Sequence, residues 1–251
     1  MTLPRRPIQW RSRQGLKEPG GQGIHASLSP VTAAPDIKRL VRVLERKQRL
    51  AAALPPRPPR DGPFPGYFER CTYVSFRLDG LQASEVEIAQ ALASGSAARA
   101  CRSRSTQRVR NHVAILRQVE TLLRRGQALE SGHVLRWYTS IACGLSCGQI
   151  DGQTAGRVDW IVSTMNSPQL RLWPAVQEVT ALHVRLMTDP FVPGFNGILA
   201  RLLLRYHLGR CGLPAVIFDA NRDGPIVASE LTLLPRLLDL ILQGYDSTSA
   251  G

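Results

Sequence analysis

Apolar residues recur at helical spacing along most of this chain. Between residues 107 and 125 they return every three or four positions, which is the period of one buried helix face. The same spacing occurs in segments 35–54, 134–145, 158–165 and 173–187. The alternation that is typical of strands is nearly absent. The sequence therefore predicts a mostly α protein.

Local signals mark where single helices begin and end. Ser84 followed by Glu87 predicts a capping box at the start of a helix over residues 86–92. Gly212 and Pro214 predict the end of the apolar helix that begins near residue 197. These signals are independent of the apolar period, and both agree with a helical chain.

The chain divides into four predicted parts. Residues 1–34 are rich in Pro, Gly and Arg without any period, which predicts a disordered basic arm. Residues 35–66 are predicted to form an N-terminal helix and a Pro-rich linker. Residues 67–215 form the predicted helical domain, and residues 216–251 form a C-terminal extension.

Positive charge is concentrated on the N-terminal side. The first 60 residues carry +10 of the net charge of +13. A basic arm can bind nucleic acid by releasing counterions. The alternative is a solvated tail, because no aromatic platform or groove-reading motif accompanies the charges.

Composition also bears on the compartment. No apolar run of 18 residues exists, so we expect no membrane-spanning segment, and arginines interrupt the apolar core that a signal peptide would need. The five cysteines are odd in number and form no CxxC pair. We therefore expect reduced thiols and a cytoplasmic protein.

The segment from Asp189 to Leu204 joins a small-residue loop to an apolar helix. Gly194 and Gly197 would let the backbone approach a ligand closely, and Asn196 tolerates a left-handed turn. A helix N-terminus offers unpaired N–H groups and the positive end of the helix dipole. The segment therefore predicts an anion-binding turn.

This segment resembles the signature of the Fic (Fido) family, written HPFxDGNGRxxR in its active members. With Phe195 counted as an insertion, the residues at matching positions are Pro190, Phe191, Gly194, Asn196, Gly197 and Arg201. The resemblance implies a Fido-like helical bundle. It also implies that Gly194, Asn196, Gly197 and Arg201 would contact a nucleotide.

Three departures concern the chemistry that the resemblance implies, which is transfer of AMP from ATP to a protein hydroxyl with Mg²⁺. Asp189 replaces the catalytic His, Pro193 the acidic metal ligand, and Ile198 the first phosphate-binding Arg. An aspartate is a poor base for an alcohol because its ordinary pKa lies far below neutral. Proline has no side-chain oxygen for Mg²⁺.

A second block lies upstream. Ser75 to Gly80 resembles the family's inhibitory motif, (S/T)xxxE(G/N), with Asp79 in place of Glu. In related proteins that acid pairs with the second signature Arg, which implies a pair between Asp79 and Arg201 here. Segments 110–116 and 180–187 also resemble family helices.

Two functional hypotheses follow. The first is a degenerate Fido-fold protein that lacks AMP transfer and acts as a binding or regulatory module for an unknown protein. The second is an active protein adenylyltransferase, with Asp189 as base or metal ligand and Arg201 as phosphate clamp. The second hypothesis requires ATP and Mg²⁺ as cofactors.

A different motif predicts calcium. Oxygen donors fall at positions 1, 3, 5 and 12 of an EF-hand-like loop, at Asp219, Asn221, Asp223 and Glu230, with Gly224 at position 6. The helix-stop signals before this loop leave almost no room for the entering helix, and no second hand is visible. A protein that binds calcium here, or nucleic acid through its basic arm, is therefore a third alternative.

Overall fold

The computed structural model describes residues 37–53, 66–93, 104–142, 152–166, 172–188, 196–223 and 230–249. They belong to one compact unit that spans Val31–Gly251. The described residues form nine helices and no strand, which confirms the prediction of a mostly α fold. The basic arm predicted over 1–34 lies outside the described residues.

The helices of the described residues are numbered in chain order. Their bounds are α1 (Ile37–Ala53), α2 (Tyr67–Leu78), α3 (Glu85–Ala93), α4 (Arg104–Arg125), α5 (Ser131–Ile141), α6 (Gly152–Asn166), α7 (Leu172–Thr188), α8 (Asn196–Arg210) and α9 (Glu230–Ser249).

The predicted helix ends are confirmed. The Glu87 N–H donates to Ser84 Oγ over 3.2 Å, and the Ser84 N–H donates to Glu87 Oε2 over 3.1 Å, which is the reciprocal pattern of a capping box. After α8, Gly212 has a φ of 66°, and the Leu213 N–H donates to the Leu208 carbonyl over 2.8 Å. A left-handed glycine thus ends α8 and turns the chain.

Helix α8 occupies the centre of the fold. Every residue from Asn196 to Leu208 is buried, and α8 packs against α2, α4, α6 and α7. A helix that is enclosed on all sides cannot direct its polar residues to solvent. Its buried arginines, Arg201 and Arg205, therefore require partners from the neighbouring helices.

Helices α1 and α9 pack along each other. Arg39 pairs with Asp239, and one helical heptad later Arg46 pairs with Asp246, each at 2.7 Å. Because both numbers increase together, the two helices run parallel. α9 also packs on α7, so α1 and α9 join the predicted N-terminal helix and C-terminal extension to the same core.

Two further expectations concern the membrane and the thiols. No helix in the described part of the chain is long and apolar enough to cross a bilayer. Cys71 and Cys211, the cysteines within the described ranges, are free thiols.

Candidate functional site

The end of helix α2 places Asp79 against the start of helix α8. Asp79 follows the last residue of α2, and Gly80 adopts a φ of 69° that few other residues tolerate. The Leu81 N–H then donates to the Phe76 carbonyl over 2.8 Å. This reversal fixes the Asp79 carboxylate at the beginning of α8.

The Asp79 carboxylate accepts two hydrogen bonds from α8. Its Oδ1 lies 2.6 Å from an Nη of Arg201, and its Oδ2 accepts from the Ile198 N–H over 3.0 Å. Each side chain of the ion pair is only 6% exposed. The negative charge therefore lies in the positive field of the helix N-terminus and beside a buried guanidinium.

Arg201 is held by the same motif on its other side. Its Nε donates to Ser75 Oγ over 3.1 Å, and an Nη donates to the Ser75 carbonyl over 2.7 Å. Ser75, Asp79 and Gly80 are the three residues singled out by the resemblance to an inhibitory motif. The structure brings them together around Arg201 and the start of α8.

Gly197 makes the approach of Asp79 sterically feasible. A Cβ at this position would clash with Asp79 Oδ1 and would lie 2.9 Å from an Nη of Arg201. Asn196 and Ile198 on either side are buried in the fold. The remaining predicted residues of this loop, Asp189, Pro193 and Gly194, lie outside the described residues.

Arg201 also borders a small cavity among the described residues, of about 10 Å³, with Cys71, Ser75 and Arg205 in its walls. That volume is about enough for one water molecule. The candidate anion position at the start of α8 is occupied by the Asp79 carboxylate.

A second ion pair on α8 was not found by sequence reasoning. Arg205 binds Glu120 of α4 with both nitrogens, Nε to Oε1 at 2.6 Å and Nη to Oε2 at 2.8 Å. Both side chains are buried. The signal that could have revealed it is an arginine one turn after Arg201 in an apolar helix, because such a charge needs a partner.

Two buried histidines border the site. His112 lies 3.0 Å from Thr72 Oγ1 through its Nδ1, and the His183 ring stacks on Phe218 at 5.7 Å. Burial, and secondly the charge of Arg201, lowers the pKa of each imidazole to about 3. Both rings are neutral at physiological pH, so neither supplies a base that titrates near neutrality.

The EF-hand-like segment shows an internal ion pair. The fully buried Asp223 accepts from Arg236 Nε over 2.7 Å and from the Asp219 N–H over 2.6 Å. The Arg236 guanidinium therefore neutralises a carboxylate that the calcium prediction uses as a ligand. The described residues contain no group of three His, Cys, Asp or Glu side chains able to hold a metal.

Part of the predicted calcium loop, residues 224–229 and the Glu230 side chain, lies outside the described residues. Asn221 donates its N–H to Asp219 Oδ1 over 2.9 Å, which orders the first turn of the loop. Calcium binding stays a prediction, with Arg236 as the competing cation.

Comparison with known proteins identifies the fold. No family model and no curated protein matches the sequence. A Fic domain containing signaling protein from Bacteroides thetaiotaomicron has a similar structure, with a TM-score of 0.59 and 14% identity over 84% of this chain and 97% of that one.

Two structures of a segment of Fic-1 from C. elegans are also similar. One has a TM-score of 0.66 with 17% identity, covering 86% of this chain and 72% of the other. The second has a TM-score of 0.64 with 17% identity, covering 88% and 73%. The chain therefore has the Fic-domain fold.

Replacing Gly197 with alanine, which adds one methyl group, tests the contact between Asp79 and α8. We expect Gly197→Ala to lower the free energy of unfolding by about 1–3 kcal/mol, because the Asp79 carboxylate must move. In an Asp79→Ala background the same substitution should cost less, since the main obstacle is gone. Urea unfolding of the four proteins in this cycle measures the difference.

The matched control for Gly197→Ala is Gly156→Ala in α6, where a Cβ meets nothing within 4 Å. It should raise stability by about 0.5–1 kcal/mol through helix propensity. Equal costs of Gly197→Ala with and without Asp79 would show that the carboxylate does not occupy the described position.

The buried histidines predict a loss of stability in acid. Below pH 6.5 both histidines bind protons in the unfolded chain, whereas in the folded state His112 and His183 stay neutral until about pH 3. Above pH 6.5 these groups do not lower the free energy of unfolding. Below it, the free energy of unfolding falls by about 1.4 kcal/mol per pH unit for each histidine. Urea unfolding between pH 7.5 and 5 measures this slope.

The His183→Leu variant measures how much one histidine contributes to this pH dependence. Whatever the effect of the substitution at pH 7.5, we expect the free energy of unfolding of the variant to fall less steeply with acid. The slope should be smaller than that of the unmodified chain by about 1.4 kcal/mol per pH unit. Parallel curves for the variant and the unmodified chain would contradict a buried, neutral His183.

Proposed function

We propose that the chain is a degenerate member of the Fic family that does not transfer AMP and acts as a binding or regulatory module. One observation carries this proposal: the Asp79 carboxylate takes both the Ile198 N–H and the Arg201 guanidinium. Those two groups are the described donors that a phosphate at the start of α8 would use.

A nucleotide would have to displace Asp79. Separating a buried ion pair and leaving one charge uncompensated costs about 3–5 kcal/mol. A ligand that must first open this contact loses roughly a hundredfold to several thousandfold in affinity. Ser75 adds to the barrier because it also holds Arg201 through two hydrogen bonds.

The residues that replace the family's chemical groups support the same proposal. By the resemblance, Asp189, Pro193 and Ile198 take the positions of the base, the metal ligand and a phosphate-binding Arg. Ile198 has no exposed surface and belongs to the core. Loss of a positioned base costs about 10²–10⁴ in rate, and loss of a preorganised charge contact costs about 10²–10³.

The connection between α6 and α7 also supports a role without transfer. Helix α6 ends at Asn166 and α7 begins at Leu172, so only residues 167–171 join them. By the resemblance, active relatives place a β-hairpin flap that docks the target protein between the segment at Arg157 and the signature. Only 31 residues separate Arg157 from Asp189 here, and helices α6 and α7 use most of them. The flap is therefore shortened or lost, and we expect the partner of this chain to bind elsewhere.

Incubation with Mg²⁺ and ATP labelled on the α-phosphate tests the proposal directly. We expect no labelled protein, either with the unmodified chain or with Asp79→Ala, because removing the acid restores no base or metal ligand. Labelling that Asp189→Ala abolishes would overturn the proposal and establish the alternative, an active adenylyltransferase.

Nucleotide binding is measured separately, by the shift in melting temperature that ATP causes. The unmodified chain should show a smaller shift than either Asp79 variant. Asp79→Asn and Asp79→Ala should show the larger shift, because each frees Arg201 from its charged partner and binding stabilises the folded state by mass action.

The control is Asp239→Asn, which disturbs the partly exposed pair with Arg39 and leaves the start of α8 intact. An ATP-induced shift in the unmodified chain as large as in the Asp79 variants would show that Asp79 does not close the site. Asp79→Asn keeps the size of the side chain, so the test does not depend on the folding of Asp79→Ala.

A further inference from the structure

An open groove of about 340 Å³ lies between helices α4 and α5. Its walls are formed by Arg117, Gln118, Thr121, Leu122, His133 and Arg136. None of these residues belongs to the contact between Asp79 and α8, so the groove is a separate feature.

Hydrogen bonds within the protein use the acceptor atoms of two residues at this groove and leave their donor groups available. Gln118 accepts the Trp137 indole N–H through Oε1 over 2.9 Å, which leaves its amide NH₂ as the group it can present. The His133 Nδ1 accepts the Glu130 N–H over 3.2 Å. A neutral imidazole that accepts at Nδ1 carries its proton on Nε2, so this ring also offers a donor.

Two arginines line the groove, and one of them is held by a hydrogen bond. An Nη of Arg117 donates to the Leu92 carbonyl at the end of α3 over 2.7 Å. Arg136 folds back over the first turn of α5, where an Nη lies 3.2 Å from the position that a Cβ of Gly132 would occupy. Each guanidinium keeps further N–H groups, because the side chain carries five.

Of the two acids next to these helices, one is neutralised. Glu120 binds Arg205 on the buried side of α4. Glu130, the residue before α5, is exposed and lies outside the walls of the groove. The groove therefore combines two guanidiniums with neutral donors, and its positive charge complements an anion.

We propose that the α4–α5 groove binds a small organic phosphate of about nucleotide size. Guanidiniums match phosphate oxygens in charge and geometry. The volume falls within the range of about 300–1,000 Å³ that is usual for small-molecule pockets. The aliphatic stems of Arg117 and Arg136, together with the edge of Leu122, which is 6% exposed, supply apolar surface for the organic part of the ligand.

Calorimetry of the full chain with AMP, and separately with inorganic phosphate, tests this proposal. Both probes should bind at low ionic strength, AMP more tightly because it also contacts the apolar wall. Arg136→Gln and Arg117→Gln should each weaken AMP binding roughly tenfold or more, since each removes a charge-assisted contact. Arg136→Gln leaves the contact with α3 intact, so one variant is informative even if Arg117→Gln fails to fold.

The matched control is Arg125→Gln, an exposed arginine on α4 outside the groove. Its AMP affinity should stay within about twofold of the unmodified chain, since a surface charge beyond the groove acts only through a screened field. An equal loss in the control would overturn the proposal, because it would trace binding to general positive charge. Absence of binding by either probe at millimolar concentration would overturn it, and so would AMP binding no tighter than phosphate.

Discussion

A single carboxylate at the start of the central helix determines the geometry of the candidate site. Asp79 compensates two positive features at once, the N-terminus of α8 and the Arg201 guanidinium. Buried ion pairs contribute little net stability, but removing one partner is costly, so such pairs fix position more than they add free energy. The left-handed turn at Gly80 and the missing side chain at Gly197 both serve this one contact.

The central helix then connects its neighbours through paired charges. Arg201 binds α2, and one turn later Arg205 binds Glu120 of α4. An apolar helix can pack in several rotations about its axis, because apolar contacts are not directional. Two arginines on one face, each with a specific acid on a different helix, select one rotation. The same contacts that close the anion position therefore also define the core.

Sequence reasoning predicted the local structure more fully than the packing. Helix periods and the capping box at Ser84 depend on neighbours in the chain, so they were readable directly. The contact between Asp79 and Arg201 spans 122 positions, and only the resemblance to a known family suggested it. Periodicity shows that a face is buried but not against what, so the packing of α9 on α1 was not predicted. The calcium motif was predicted from residue types and spacing alone, so it did not include Arg236. In the fold, the Arg236 guanidinium is the cation that pairs with Asp223.

The parallel arrangement of α1 and α9 has a consequence for the two termini. Because Arg39 and Arg46 meet Asp239 and Asp246 in the same order, the polypeptide enters this helix pair at one end and leaves it at the other. A helix of 17 residues separates those ends by about 25 Å. The first residue of α1 and the last residue of α9 therefore lie at opposite ends of the pair. A linker that joined these two helix ends directly would have to run the length of the pair, which takes about eight extended residues.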